Sequence, residues 1–128
     1  MYMEAGTTML AAKPIEKALS EAPVDLVHLA RHTLGNRELE QEVLQLYCRQ
    51  SACYVRRLRV ADTAEERCAA AHIIKGSSRG IGAWRAARLA EAVESAYADG
   101  QLDADQLADT LVDAIDETNT YIRTMLDD

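Results

Sequence analysis

The sequence predicts an all-α fold, an up-down four-helix bundle with a short additional N-terminal helix. Three observations carry that expectation. Alanine, leucine, glutamate and arginine dominate a chain of 128 residues that holds two prolines and no phenylalanine, a composition favouring helices packed closely through small side chains. Four long segments repeat apolar residues at three- and four-residue spacing, and none alternates β-branched with polar residues as a half-buried strand would. The joints between them are short, so consecutive helices must lie side by side and bury their apolar faces on one another.

The elements follow in order. Residues 1–22 read as a weakly structured lead-in with a short helical turn around Ile15 to Leu19, and the bundle is expected over 23–128. Val24 to Leu34 is the short helix, with Val27, Ala30 and Leu34 on one side and Gly35 closing it. Arg37 to Val60 forms a long helix with two neighbouring lines: Leu39, Val43, Leu46 and Cys53, then Leu44, Tyr47, Tyr54 and Leu58. Asp62 offers the next cap, with Glu65 in the reciprocal position of a capping box, so a helix should begin at about Thr63. Trp84 to Ala98 carries Ala86, Leu89, Val93 and Ala96 or Tyr97 on one stripe and ends at Asp99-Gly100. Asp103 caps the last helix, in which Leu107, Leu111, Ile115, Thr118, Ile122 and Met125 keep the helical period.

Size and charge narrow the function. One domain's worth of chain gives a single core, too little for a nucleotide-binding sheet with a substrate domain. The formal charge of -7 argues against a nucleic-acid or anionic-membrane surface, both of which need clustered positive charge. No segment approaches the length needed to cross a bilayer. Cys48, Cys53 and Cys68 are odd in number and match no zinc-ligand spacing, so free thiols in a reducing, cytoplasmic compartment are expected. The initiating Met1 and a helix ending just before Asp127-Asp128 lead us to expect a stand-alone chain, and a monomer.

One stretch carries chemistry. Residues 71 to 84 read AHIIKGSSRGIGAW, and the glycines imitate the phosphate turn of a short-chain dehydrogenase. That fingerprint requires a buried strand before the first glycine and a helix after it. Here the upstream run Ala64 to Ala71 is helix-forming, and no tyrosine has a lysine four residues on. Taken as helix, the stretch sorts by 100° steps into Ala70, Ile73, Ile74, Ser77 and Ile81 on one side and Cys68, His72, Lys75, Gly76 and Arg79 on the other. His72 thus faces solvent, with Lys75 one turn away and Arg79 two turns along. Gly76 costs about 1 kcal/mol inside a helix relative to alanine, and the bare spot lets another molecule approach the imidazole.

These residues resemble the histidine-containing phosphotransfer (HPt) domains of two-component phosphorelays. The match runs Ala71-His72-Ile73-Ile74-Lys75-Gly76-Ser77-Ser78, then Ile81-Gly82-Ala83, Leu89-Ala90 and Val93-Glu94. It centres on residues 71 to 94, and the helix layout extends it over about 24 to 126. Ala86 departs from the family's more usual leucine, a packing detail without chemistry.

The resemblance implies a phosphocarrier rather than an enzyme with its own substrate. His72 would take a phosphoryl group from a receiver-domain aspartyl phosphate and pass it to another receiver aspartate. Imidazole suits this, being mostly neutral and nucleophilic near neutral pH. Lys75, and with it Arg79, would stabilise charge on the phosphoryl oxygens, and Glu94 would orient the ring from the neighbouring helix. Cys68 and Gly76 would belong to the docking patch. The implied partners are response-regulator receivers and a sensor or hybrid histidine kinase. No cofactor of its own is implied, Mg2+ being expected in the partner receiver. An adaptor that binds a receiver or kinase without relaying phosphate is the alternative. His28 and His32 lack a third ligand and read as surface residues. Ser77 and Ser78 are expected to bond nearby backbone, Gly80 and Gly82 to end the helix, and Trp84 to anchor a core edge.

Overall fold

The fold comes from a computed structural model, which describes residues 22–127. The lead-in, Ala22 excepted, and its helical turn lie outside the described residues. Five helices follow: α1 (Leu26–Thr33), α2 (Arg37–Val60), α3 (Ala64–Ile81), α4 (Trp84–Ala98) and α5 (Ala104–Asp127), with no strand among the described residues. α2 packs on α3, α3 on α4, α4 on α5, and α5 returns to α2, while α1 lies against α2 and α3. With joints this short, consecutive long helices run antiparallel, and the chain is an all-α bundle.

The first three helices start on side-chain caps, whereas α4 starts at Ala83 without one. The Asp25 carboxylate accepts the His28 backbone N–H at 3.1 Å, and Asn36 accepts that of Leu39 at 3.0 Å. Thr63, and not Asp62, caps α3: its Oγ1 accepts the Glu66 N–H at 3.1 Å and donates to the Glu66 carboxylate at 3.2 Å. The capping box is therefore Thr63 with Glu66, one residue later than expected. Consecutive Asp-Thr and Glu-Glu pairs satisfy the same pattern twice, and only the backbone direction chooses between them.

The core runs along the bundle axis through Leu44, Ile74, Val93, Leu111, Ile115 and Ile122, all almost fully buried. Two buried polar pairs cross it. Tyr47 Oη and Ser78 Oγ lie 2.9 Å apart, and Asn119 Nδ2 donates to Ser51 Oγ at 3.0 Å. Burial pushes the Tyr47 phenol up to about 12. Ser78 thus bonds a neighbouring helix, unlike Ser77, whose hydroxyl donates to the Ile74 carbonyl.

The structure settles which faces turn inward. α1 turns Leu29 and Thr33 inward, with Val24 before it, while Val27 and Leu34 are exposed. On α2 the line of Leu44, Tyr47 and Leu58 is buried, whereas Leu39 and Leu46 of the other line are exposed. Ile73 is exposed too, because the inward side of α3 is centred on Ala71, Ile74 and Ser78.

The α3–α4 joint decides where the site sits. Gly82 ends α3 with φ of +76°, and a Cβ there would lie 2.8 Å from Asp25 Cβ and 3.0 Å from the Asp25 carbonyl. Neither the backbone conformation nor the space admits another residue. Gly80 lies within α3 and ends nothing.

Candidate functional site

His72 stands halfway along α3, and 64% of its side chain is exposed. Its neighbours on α3 follow from the helical repeat, but its decisive contact comes from α4. His72 Nδ1 lies 2.9 Å from Glu94 Oε2, and the Lys75 ammonium donates to Glu94 Oε1 at 2.8 Å. One carboxylate therefore ties the imidazole to the lysine. Lys75 is largely covered, with 16% of its side chain exposed.

The bond sets the tautomer. An ionised carboxylate can only accept, so Nδ1 must carry the proton whether the ring is neutral or cationic. In the neutral ring the lone pair then sits on Nε2, which has no hydrogen-bond partner among the described residues. Glu94 stays ionised for a physical reason: the Lys75 hydrogen bond above all, and then that of His72, hold its carboxyl below the usual glutamate range against the effect of burial. The arrangement amounts to a nucleophilic nitrogen pointing to solvent, with a negative charge fixed behind the ring.

The other expected residues lie around this centre at different distances from the chemistry. Arg79 pairs with Glu91 at 3.0 Å on the exposed surface, one step removed from His72. Cys68 is half-buried toward α4, its thiol donating to the Glu94 carbonyl at 3.3 Å, and burial followed by the Glu94 charge pushes the thiol up. Its thiol is turned toward α4 while the residue stays partly exposed. A Cβ on Gly76 would meet nothing within 4 Å, so the chain's own packing gives no reason for glycine there. On the α2 side of His72 an open groove of about 430 Å3 runs between α2 and α3, lined by Tyr54, Arg57, Val60, Ala69 and Ile73 among others.

Two features escaped the sequence. The Lys75–Glu94 pair joins residues 19 apart and depends on how α4 is rotated about its axis, which no local pattern states. His28 is only partly a surface residue: its ring lies 4.7 Å from that of Trp84, centroid to centroid, and its Nε2 is buried without a partner among the described residues. Trp84 itself donates its indole N–H to Asp25 Oδ2 at 2.9 Å. An indole at the first position of a helix was the available signal, because a half-buried N–H needs an acceptor.

A helical bundle that turns one carboxylate-oriented imidazole outward, beside a bare helix surface, has the build of a histidine phosphotransfer module. A family model described as Hpt domain matches residues 15–127, and the chain belongs to that family. Comparison with curated proteins and with solved structures finds no match. Membership places the chain in histidine phosphotransfer of two-component signalling, as a carrier module of a kind that interacts with receiver domains and kinases. No helix among the described residues is long and apolar enough to cross a membrane.

Proposed function

We propose that the chain is a relay intermediate in which His72 accepts a phosphoryl group from a receiver aspartyl phosphate and delivers it to another receiver aspartate. The His72–Glu94 hydrogen bond carries this reading, because it leaves the Nε2 lone pair facing the side from which a partner must come. Nε2 attacks phosphorus in line; the P–N bond forms as the P–O bond to the receiver aspartate breaks, and the carboxylate leaves with the bonding pair. The proton stays on Nδ1. The ring becomes cationic as it is phosphorylated, and the Glu94 carboxylate offsets that charge. Transfer onward is the same path reversed, with a second aspartate as the nucleophile.

Lys75 spends one donor on Glu94 and retains others for a phosphoryl oxygen. Arg79 serves more remotely, on the Glu91 side. Any Mg2+ would come with the receiver's acidic pocket. The bare surface at Gly76 and the groove toward α2 would receive the partner, since its active-site loops must come within bonding distance of Nε2. Three free thiols, Cys48, Cys53 and Cys68, fit a reducing compartment and so a cytoplasmic setting.

The test is labelling by a receiver loaded with radioactive phosphate. The wild-type chain should take up an acid-labile, base-stable label, and His72→Gln should take up none. A label retained by His72→Gln would overturn the assignment. A wild-type chain that binds the receiver yet stays unlabelled would make it an adaptor.

A further inference from the structure

The bond that orients His72 spans two helices, so its geometry depends on the axial register of α4 against α3. Helical spacing identifies the facing stripes. From Lys75, residues at −4 and +3 are Ala71 and Ser78; from Glu94, residues at −4 and −7 are Ala90 and Ala87; and the joint between the two helices is Gly82-Ala83. Apart from the ion pair itself, every member is small. Such surfaces approach closely but offer few knobs to resist sliding. A slip of one residue would move Glu94 by about 1.5 Å along the axis, enough to break a 2.9 Å contact.

The joint between the helices is tied from both sides by Asp25. Its backbone N–H donates to the Gly82 carbonyl at 2.9 Å, and its Oδ2 accepts the Trp84 indole N–H at 2.9 Å. Its Oδ1 accepts the His28 N–H, anchoring the residue itself to the start of α1. Asp25 thereby holds the last residue of the α3 cap and the first residue of α4 at once, and it occupies the space a Gly82 Cβ would need.

We propose that Asp25, with Trp84, is a positioning residue for the His72–Glu94 pair, setting from about 15 Å away the register that keeps the proton on Nδ1. The proposal rests on His72 being the phosphoryl acceptor, but its first readout does not. Trp84→Phe keeps an aromatic ring beside His28 but removes the N–H that Asp25 accepts. Asp25→Asn keeps one acceptor oxygen and loses the other. In unphosphorylated protein at about pH 8.5, where imidazole is neutral, 15N spectra of the wild-type ring should show a single Nδ1–H tautomer. Both variants should show a mixture with the Nε2–H form, as Glu94→Gln would, and their transfer rate from a phosphorylated receiver should fall on the order of tenfold.

Variants that remain helical, lose stability in urea and yet keep the wild-type ring spectrum would reduce Asp25 to a structural tie and overturn the proposal. Because Trp84→Phe is mild, that outcome is open even if Asp25→Asn does not fold. A wild-type ring with the Nδ1–H signature that moves in both variants, in a chain that accepts no phosphate, would support the register role while removing the relay.

Discussion

The α5 seam and the α3–α4 rim are both helix contacts, but they are held by different physics. Along α5, Leu111, Ile115, Thr118 and Ile122 are buried almost completely, and their side chains fill the axis of the bundle. Along the rim, alanines and glycine bring two backbones together, and the specific contacts are ionic and partly exposed. Burial of large apolar groups is worth kilocalories wherever the chain is folded. A half-exposed ion pair such as Arg79–Glu91 is worth little in stability, and the better covered Lys75–Glu94 pair gives back much of its attraction in desolvation, so the rim's bonds are better understood as setting geometry. The seam makes the bundle, and the rim makes the site.

The sharpest way to break that division is to cut the seam. Ile115 is 1% exposed, so Ile115→Ala removes buried methylenes and leaves a hole the neighbours fill only in part. It should cost about 3 kcal/mol, read as a lower urea midpoint with an unchanged slope. Phosphoryl acceptance per folded molecule should stay at the wild-type rate. A large fall in that rate would show that the seam also sets the site.

The same contrast explains what could be read from the sequence. α5 runs 24 residues with its apolar stripe in register, long enough for the periodicity to identify the inward face without ambiguity. α1 has eight residues, about two turns, and Leu34 lies beyond them in a left-handed cap with φ of 54°. Two turns do not determine a phase, so spacing alone puts Val27 and Leu34 on the apolar side and leaves out Leu29 and Thr33, which the structure buries. His72, Lys75 and Gly76 were legible because they share one helix, where spacing dictates proximity. Glu94 was matched through the family resemblance, but its grip on Lys75 was hidden. Bonds between helices depend on rotation and register, and these arise from the whole packing. Asp25 was invisible as a partner of Trp84 for the same reason, 59 residues apart in sequence.

A smaller effect has opposite signs on the two properties. Gly76 lies in the middle of α3 with open space where a Cβ would be, so Gly76→Ala should raise stability by up to about 1 kcal/mol through helix propensity and a less free unfolded chain. The added methyl would stand on the surface that a receiver must approach. Thermal melting should therefore improve while transfer slows, and the slowing should be relieved at high receiver concentration if docking is what suffers. Faster melting would mean the spot is not free. An unchanged rate would move the docking surface elsewhere.

The smallest stability effect belongs to Glu94, and it carries a pH signature. The Lys75 hydrogen bond first, then that of His72, lower its carboxyl below the ordinary value. A group depressed in the folded state contributes stability that is complete above its unfolded value and disappears as pH falls through the folded one. The difference in unfolding free energy between wild type and Glu94→Gln should therefore be about 1 kcal/mol near neutrality and should begin to shrink only below the ordinary glutamate range, vanishing as the pH falls through the lowered folded value. Phosphoryl transfer at neutral pH should drop far more than stability, by an order of magnitude or so, because glutamine cannot offset the positive charge that the ring acquires. A stability gap that persists unchanged to low pH would assign Glu94 to packing, and the rim would then be a second seam rather than a device for orienting His72.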